Sequence, residues 1–217
     1  MNNTRPERYL DELTQRYPTL SVCKDDILKS FEILKNTFSK GGKLLIAGNG
    51  GSCSDGEHIA GELMKGFLKR REIKQDLSLS LQKVGGELGK EIASKLQQGL
   101  PTIALSNHQS LNTAFLNDVK GGGDFVFAQQ VNVFGQKGDV LLGISTSGNS
   151  QNVFNASLVA KAKGLQIVSL TGETGGKLKD ISDVTIKAPS SITHHVQELH
   201  LPIYHCLCLM LEDYFFE

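Results

Sequence analysis

The chain carries no excess charge of either sign. Its 23 lysines and arginines balance 23 aspartates and glutamates, so the long-range field that gathers nucleic acid or an anionic membrane is missing, and any anion must be held locally. No run of 18 apolar residues occurs, which argues against a transmembrane helix. The opening MNNTRPERYLDELTQRYP is polar and charged and lacks the apolar region of a secretory signal. The four cysteines, Cys23, Cys53, Cys206 and Cys208, form no CxxC pair, and a chain of this length does not call for disulfide staples, so reduced, buried thiols are expected. There is no internal repeat and no low-complexity tract. Together these absences predict a soluble, cytoplasmic protein that binds neither nucleic acid nor membrane.

What is present fits one compact domain over 1–217, because 217 residues at 39% hydrophobic and 21% charged can bury a full core. Thr4 and Pro6 offer a cap and a first-turn proline for a helix marked by Leu10 and Leu13, which stops near Pro18. A second helix carries Val22, Ile27, Leu28, Phe31, Leu34 and Phe38 on one stripe and ends at Gly41-Gly42, so 1–42 reads as N-terminal helices. From residue 43 five short apolar runs follow: KLLIAG, PTIALS, DVLLGIS, QIVSLTG and DVTIKAP. They alternate with helical segments such as Ser150 to Gly164, where Val153, Ala156, Val159 and Ala160 mark a face. That texture predicts an α/β fold with a parallel sheet covered on both sides and ligands beyond the carboxyl ends of its strands. Residues 68–99 depart from the alternation and read as an insertion. Its half from Glu87 to Gln98 suits a surface helix, and the whole is either a solvated loop or an element packed near the active site or a subunit interface.

Two strand ends carry glycine- and hydroxyl-rich loops: Gly48-Asn49-Gly50-Gly51-Ser52 and Ser145-Thr146-Ser147-Gly148-Asn149-Ser150. Glycine lets backbone approach a ligand, hydroxyls donate to phosphate oxygens, and the N-terminus of the following helix favours an anion. Either loop alone is equally an ordinary serine-capped turn. Two in one sheet favour a phosphate cradle. Neither matches GxxxxGK[ST], and GNGGSC departs from GxGxxG at its last position, so the nucleotide-binding motifs are not supported.

On the helix expected from Ser54 to Phe67, His58 and Glu62 lie four apart and share a face. Such a pair supplies two ligands to a divalent metal, or one ligand beside a general base, though standing alone it is more often a polar helix face. The C-terminal segment from Thr193 reads as a buried helix that Pro202 should kink. His194, His195 and His200 suit packing or exposure, whereas His205 lies within the apolar run, where an imidazole needs a partner or a task. On one continuous helix Gln197 and His205 are separated by about 12 Å of rise and roughly 80° of rotation, near the limit for a shared ion. Either the helix starts after Gln197, or Pro202 distorts it, or one ligand comes from a neighbouring subunit.

GNGGS, the His58/Glu62 helix, ISTSGNS, LTGETGGKL and VQELHLPIYH resemble the bacterial phosphoheptose isomerases over most of the chain. ISTSGNS marks the wider SIS class of sugar-phosphate binders, while the HxxxE helix together with QExHxxxxxH is narrower. The resemblance implies a single SIS domain with a doubly wound, flavodoxin-like five-stranded sheet, a homotetramer with active sites at subunit interfaces, and interconversion of sedoheptulose 7-phosphate with D-glycero-D-manno-heptose 7-phosphate. It implies zinc held by His58, Glu62, Gln197 and His205. It puts the substrate on Asn49, Gly50, Gly51, Ser52, Ser145, Thr146, Ser147, Ser150 and Gln197, with Asn117 and Asp118 at the sugar hydroxyls, and makes Glu62 and His205 the acid/base pair. His194 stands where an acidic sugar contact is expected, and 68–99 is longer than the family pattern. These departures keep two rivals open: an isomerase of another phosphosugar, and a non-catalytic SIS protein that senses a sugar phosphate or binds a replication initiator.

Overall fold

In a computed structural model that describes residues 6–216, all five apolar runs become strands of one parallel sheet: β1 (Leu44–Gly48), β2 (Thr102–Ala104), β3 (Val140–Ser145), β4 (Gln166–Gly172) and β5 (Val184–Ala188). Their order is β2-β1-β3-β4-β5, the doubly wound flavodoxin order, which reverses direction between β1 and β3. Ile46 of β1 pairs with Ala104 on one side and Leu142 on the other.

Every residue of β1 and β3 is buried, as a strand covered on both faces requires. Leu44 and Ile46 point into one core and Leu45 and Ala47 into a second, the period-two alternation of a pleated strand. The first core is closed by α1 (Glu7–Arg16), α2 (Lys24–Ser39), α3 (Gly51–Met64) and α9 (Thr193–Phe215). The second is closed by α6 (Val126–Phe134), α7 (Gln151–Ala162) and the short α8 (Leu178–Ile181). Each fully buried Leu, Ile or Phe in these layers contributes roughly 1.5–3 kcal/mol.

The sequence expectations need several corrections. Thr4 lies outside the described residues, and α1 begins directly after Pro6 without a side-chain cap. Val22 is 73% exposed in a 3-10 turn ahead of α2 rather than part of its stripe. The helix expected from Ser54 starts at Gly51, because Ser52 and Cys53 already donate their N–H groups to the Asn49 and Gly50 carbonyls. Cys53 is half-buried rather than buried, while all four cysteines are free. Pro202 lies inside α9, which is one helix of 23 residues, as expected of the C-terminal segment.

The insertion is ordered along more of its length than its composition suggested. Glu72 and Gln97 pair in an antiparallel bridge at its base, and between them α4 (Gln75–Lys95) folds back on itself at Gly86, whose φ of 55° breaks the helix. The turn is tight enough that a side chain on Gly89 would strike the Leu81 carbonyl, which makes glycine obligatory there. Its outer surface leaves Leu77, Leu79, Val84 and Leu88 exposed. α5 (Gln109–Asp118) follows β2 and buries none of its residues.

Candidate active site

The two glycine- and hydroxyl-rich loops leave the carboxyl ends of β1 and β3, adjacent strands at the point where the sheet order reverses. Crevices of doubly wound sheets open at this point. A reciprocal pair of hydrogen bonds ties the loops together. Asn49 Nδ2 donates to Asn152 Oδ1 at 2.8 Å, and Asn152 Nδ2 donates to Asn49 Oδ1 at 2.9 Å. Gly50 has a φ of 56° at the entry to α3, a conformation that costs a residue with a Cβ dearly.

Across the crevice, Ser145 Oγ and Ser150 Oγ lie 2.9 Å apart. Ser52 is buried in the first turn of α3, Thr146 is half-buried with its carbonyl accepting the Gly172 N–H, and Ser147 is exposed. Gly148, with a φ of 66°, lies directly against the Gly175 carbonyl, so a methyl group there would collide with it. Leu178 N–H to the Gly148 carbonyl and Lys177 N–H to Asn149 Oδ1 complete the bracing of this loop by the segment after β4. Three helix N-termini, those of α3, α7 and α9, open on the same end of the sheet.

An open cavity of about 340 Å³ adjoins the first loop, with Asn49, Gly50, Cys53, Ser106, Asn112 and Asn152 in its lining. Ser106, Asn112 and Asn152 are additions to the sequence-derived set. Asn152 could have been found two residues beyond the ISTSGNS loop, where the first turn of α7 must face β1. Ser106 and Asn112 carry no local signature. The expected sugar contacts Asn117 and Asp118 are not part of this lining. They sit exposed at the end of α5 and bond to each other at 2.9 Å, although Leu116 beside them does reach the cavity.

Helices α3 and α9 run parallel away from the strand ends, since Gly51 meets Gln197 near their starts and His58 meets Tyr204 two turns further on. The Gln197 carboxamide lies on Gly51 so closely that a Cβ at Gly51 would overlap it. On an unbroken α9, Gln197 therefore stands at the loop end, about 12 Å of rise before His205. Within one chain the four residues implied for zinc divide into Gln197 at the crevice and His58, Glu62 and His205 two turns or more further along the helices, with His58 exposed.

That second group is a cluster. His58 Nε2 lies 3.3 Å from Glu62 Oε1, and His58 Nδ1 lies 3.0 Å from the Tyr204 hydroxyl. The His205 ring packs edge-on against His58 with centroids 5.0 Å apart and against Phe67 at 5.4 Å, and its buried Nε2 has no hydrogen-bond partner among the described residues. Burial and the neighbouring His58 lower the His205 pKa, with Glu62 opposing them. Burial, then the charge of Asp55, raises that of Tyr204. The Asp55 carboxyl is raised by burial against the Tyr204 hydrogen bond and the His58 charge. Lys65 Nζ reaches Glu62 Oε2 at 3.1 Å from the exposed side.

Among the described residues, no three His, Cys, Asp or Glu side chains stand at coordinating spacing. His58 and Glu62 meet at 3.3 Å and His205 touches His58 through ring packing, so within one chain these residues supply the ligand types of a divalent ion without its coordination geometry. A buried ion pair fixes the two helices that carry this group. Arg71, fully buried, donates to Glu212 at 2.9 Å and to the Leu63 carbonyl at 2.8 Å, while Glu212 also accepts the Phe67 and Leu68 N–H groups. The root of the insertion is thereby pinned beside His205.

Among the described residues no helix is long and apolar enough to cross a membrane. The SIS domain family model matches residues 91–172, from the end of the insertion through β4. A phosphoheptose isomerase from Nitratiruptor sp. is 41% identical over 209 residues, covering 96% of this chain and 91% of that protein. The solved phosphoheptose isomerase GmhA from Neisseria gonorrhoeae aligns with a TM-score of 0.69 at 30% identity, covering 92% of this chain and 91% of that one. A phosphoheptose isomerase structure from Francisella tularensis aligns at 0.73 and 27% identity, over 94% and 95% of the two chains. The chain belongs to the phosphoheptose isomerase family, and it is an enzyme of the isomerase class.

Proposed function

We propose that the chain interconverts sedoheptulose 7-phosphate and D-glycero-D-manno-heptose 7-phosphate by proton transfer through an enediolate. The observation that carries this reading is the junction of two hydroxyl-bearing loops at the sheet's switch point with a carboxylate and two imidazoles further along α3 and α9. Six residues of helix from Ser52 to His58 rise about 9 Å, and the zigzag of seven single bonds (ketose, from C2) or eight (aldose, from C1) between the carbonyl carbon of an open-chain heptose and its phosphorus spans about 9–10 Å. The lengths agree.

In this reading Ser52, Ser145, Thr146, Ser147 and Ser150, with the N–H groups of Gly50 and Gly51, hold the phosphate. Asn49 and Gln197 meet the sugar hydroxyls; Asn117 and Asp118, which the resemblance also puts there, lie outside the cavity lining within one chain. Glu62 carries the proton between C1 and C2, and His205 exchanges protons with the oxygens; its pKa, lowered by burial, leaves it neutral and ready to accept. His58, Glu62 and His205 would hold a divalent ion, zinc, with Gln197 joining from a neighbouring subunit or after a shift of α9. Bound zinc would polarise the substrate carbonyl and stabilise the enediolate charge. A homotetramer in the cytoplasm belongs to the same proposal, supported by the apolar residues left exposed on the outer face of α4.

Isomerisation of a different phosphosugar is the second reading, favoured by His194, which is exposed at the start of α9 and meets the His195 ring edge-on with centroids 4.4 Å apart. A panel of C5 to C7 sugar phosphates, assayed with and without zinc, separates the two. Exchange of the C1 or C2 hydrogen with deuterated solvent, followed by NMR, tests the mechanism. Glu62→Gln should slow turnover and exchange by about 10²- to 10⁴-fold while the substrate still protects the protein against thermal unfolding. Undiminished exchange in the variant would assign the base to another residue.

A further inference from the structure

Glu62 sits in the last turn of α3, where a helix has no partners of its own for its final carbonyls. Helices commonly end on a glycine that turns the chain back and satisfies those groups. Here α3 stops at Met64 and the chain leaves through Lys65 in an extended conformation. The partners come instead from the two ends of the insertion. The Leu63 carbonyl accepts the Leu100 N–H at 2.9 Å and Arg71 Nη1 at 2.8 Å, and the Glu62 carbonyl accepts Arg71 Nη2 at 3.2 Å. Gly99 lies so close to the Met64 carbonyl that a Cβ there would overlap it. Both ends of the insertion therefore close on the turn that carries the proposed base.

Arg71 is the centre of this clamp. Its side chain is fully buried, Nε and Nη2 lie 3.0 and 2.9 Å from Glu212 Oε1, and Cζ stands 4.4 Å from the centre of the Phe216 ring. Neutralising Glu212 would take only a point charge, which lysine supplies. What the planar fork adds is a rigid link, with one edge on the carboxylate of α9 and the other on the carbonyls of α3. A cation at this end of α3 also complements the helix dipole. Seven residues separate His205 from Glu212, two turns that return to the same face of α9. The guanidinium thus joins the backbone of Glu62 to the helix face that bears His205.

We propose that Arg71 is a positioning residue for the isomerisation: bonded to the Glu62 and Leu63 carbonyls on one helix and to Glu212 on the other, it fixes the Glu62 carboxylate relative to His205. The catalytic part rests on the reading of Glu62 as the base; the clamp itself does not. A general base works only within hydrogen-bond reach of the proton it takes, and a misplacement of about 1 Å can cost about 10²-fold. Ser52, at the loop end of α3, lies ten residues and about 15 Å of rise from Glu62. Phosphate binding should therefore be spared while turnover falls.

The test uses two variants of the full chain. Arg71→Lys keeps a cation for Glu212 and loses the fork; Arg71→Met/Glu212→Leu leaves no buried charge and also loses the carbonyl bonds, and it decides alone if Arg71→Lys does not fold. On a phosphosugar that the wild type isomerises, each should lower kcat about 10- to 100-fold with KM changed less than about threefold. A wild-type kcat in either variant overturns the proposal, since stability without the carbonyl bonds would then suffice. Combined with Glu62→Gln, each should add little further loss, because the base being positioned is already gone; an undiminished further loss also overturns it. The clamp has a readout that needs no turnover: the Glu62 carboxyl carbon-13 resonance, assigned by its loss in Glu62→Gln, should shift in both variants. A resonance that stays in place overturns the clamp. A resonance that shifts while Glu62→Gln turns over like the wild type removes the base reading and leaves Arg71 holding Glu62.

Discussion

His200 should make the protein acid-sensitive in a narrow window. It is fully buried in α9, with Nε2 3.2 Å from the Thr171 carbonyl of β4 and Nδ1 without a partner among the described residues. Burial lowers its pKa from 6.5 to about 4, opposed only in part by the Thr171 hydrogen bond. The neutral form is thus the folded form, and the unfolded chain takes up a proton first as the pH falls. Stability is complete above about pH 6.5, is lost as the pH drops from there to about 4, and changes no further below both values. At 1.36 kcal/mol per pH unit the full loss is roughly 3 kcal/mol, and about 2 kcal/mol is already gone near pH 5. Urea unfolding at constant protein concentration, from neutral to about pH 5, measures this directly. Other groups titrate over the same range, so the comparison is with His200→Gln, which removes the titration but keeps an amide donor for Thr171. The variant should start less stable and decline less steeply, the two curves converging by about 2 kcal/mol near pH 5. Parallel curves would refute the reasoning, because they would mean that His200 is protonated as readily in the native chain as in the unfolded one.

Two further perturbations follow from the same coordinates. Arg71→Met strands Glu212 as an uncompensated buried charge between the insertion and α9 and should cost about 3–5 kcal/mol in urea unfolding, with much of that recovered in Arg71→Met/Glu212→Leu, where no charge is left behind. Ser145→Ala/Ser150→Ala removes the hydroxyl pair at the crevice and should raise KM for a phosphosugar at least about tenfold, since each hydrogen bond to a charged group contributes about 1.5–3 kcal/mol; an unchanged KM would move the phosphate away from this loop.

The sheet was legible because each of its strands obeys one local rule. KLLIAG and DVLLGIS are continuous apolar runs, and only burial on both faces accounts for them, hence a parallel sheet with helices above and below. The loops were legible for a related reason: a run that ends in Gly-Asn-Gly-Gly or Ser-Thr-Ser-Gly passes from strand to helix in a few residues, and Gly50 and Gly148 do adopt the positive φ that such passages require. Boundaries were less so. α3 begins three residues before Ser54 because its cap is made by backbone N–H groups, which no side-chain signature records. The first arm of α4 was unreadable because its leucines are exposed, and without a buried stripe a helix leaves no period in the sequence.

The cluster around His58 divides along the same line. His58 and Glu62 could be read from i,i+4 spacing because both lie on one helix, whose geometry is known in advance. Tyr204 could not, because what joins it to His58 is the lateral register of α3 against α9, with Ile59, Leu63, Ile203 and Leu207 in one core. A slip of one residue in either helix would turn its side chains by about 100° and carry the Tyr204 hydroxyl away from Nδ1. The contact of His58 with Tyr204 is therefore a property of packing between helices more than one hundred residues apart in sequence. It follows that substitutions at Ile203 or Leu207, which touch no polar atom of the site, should disturb His58 through register alone, by a route that leaves Glu62 and His205 chemically intact.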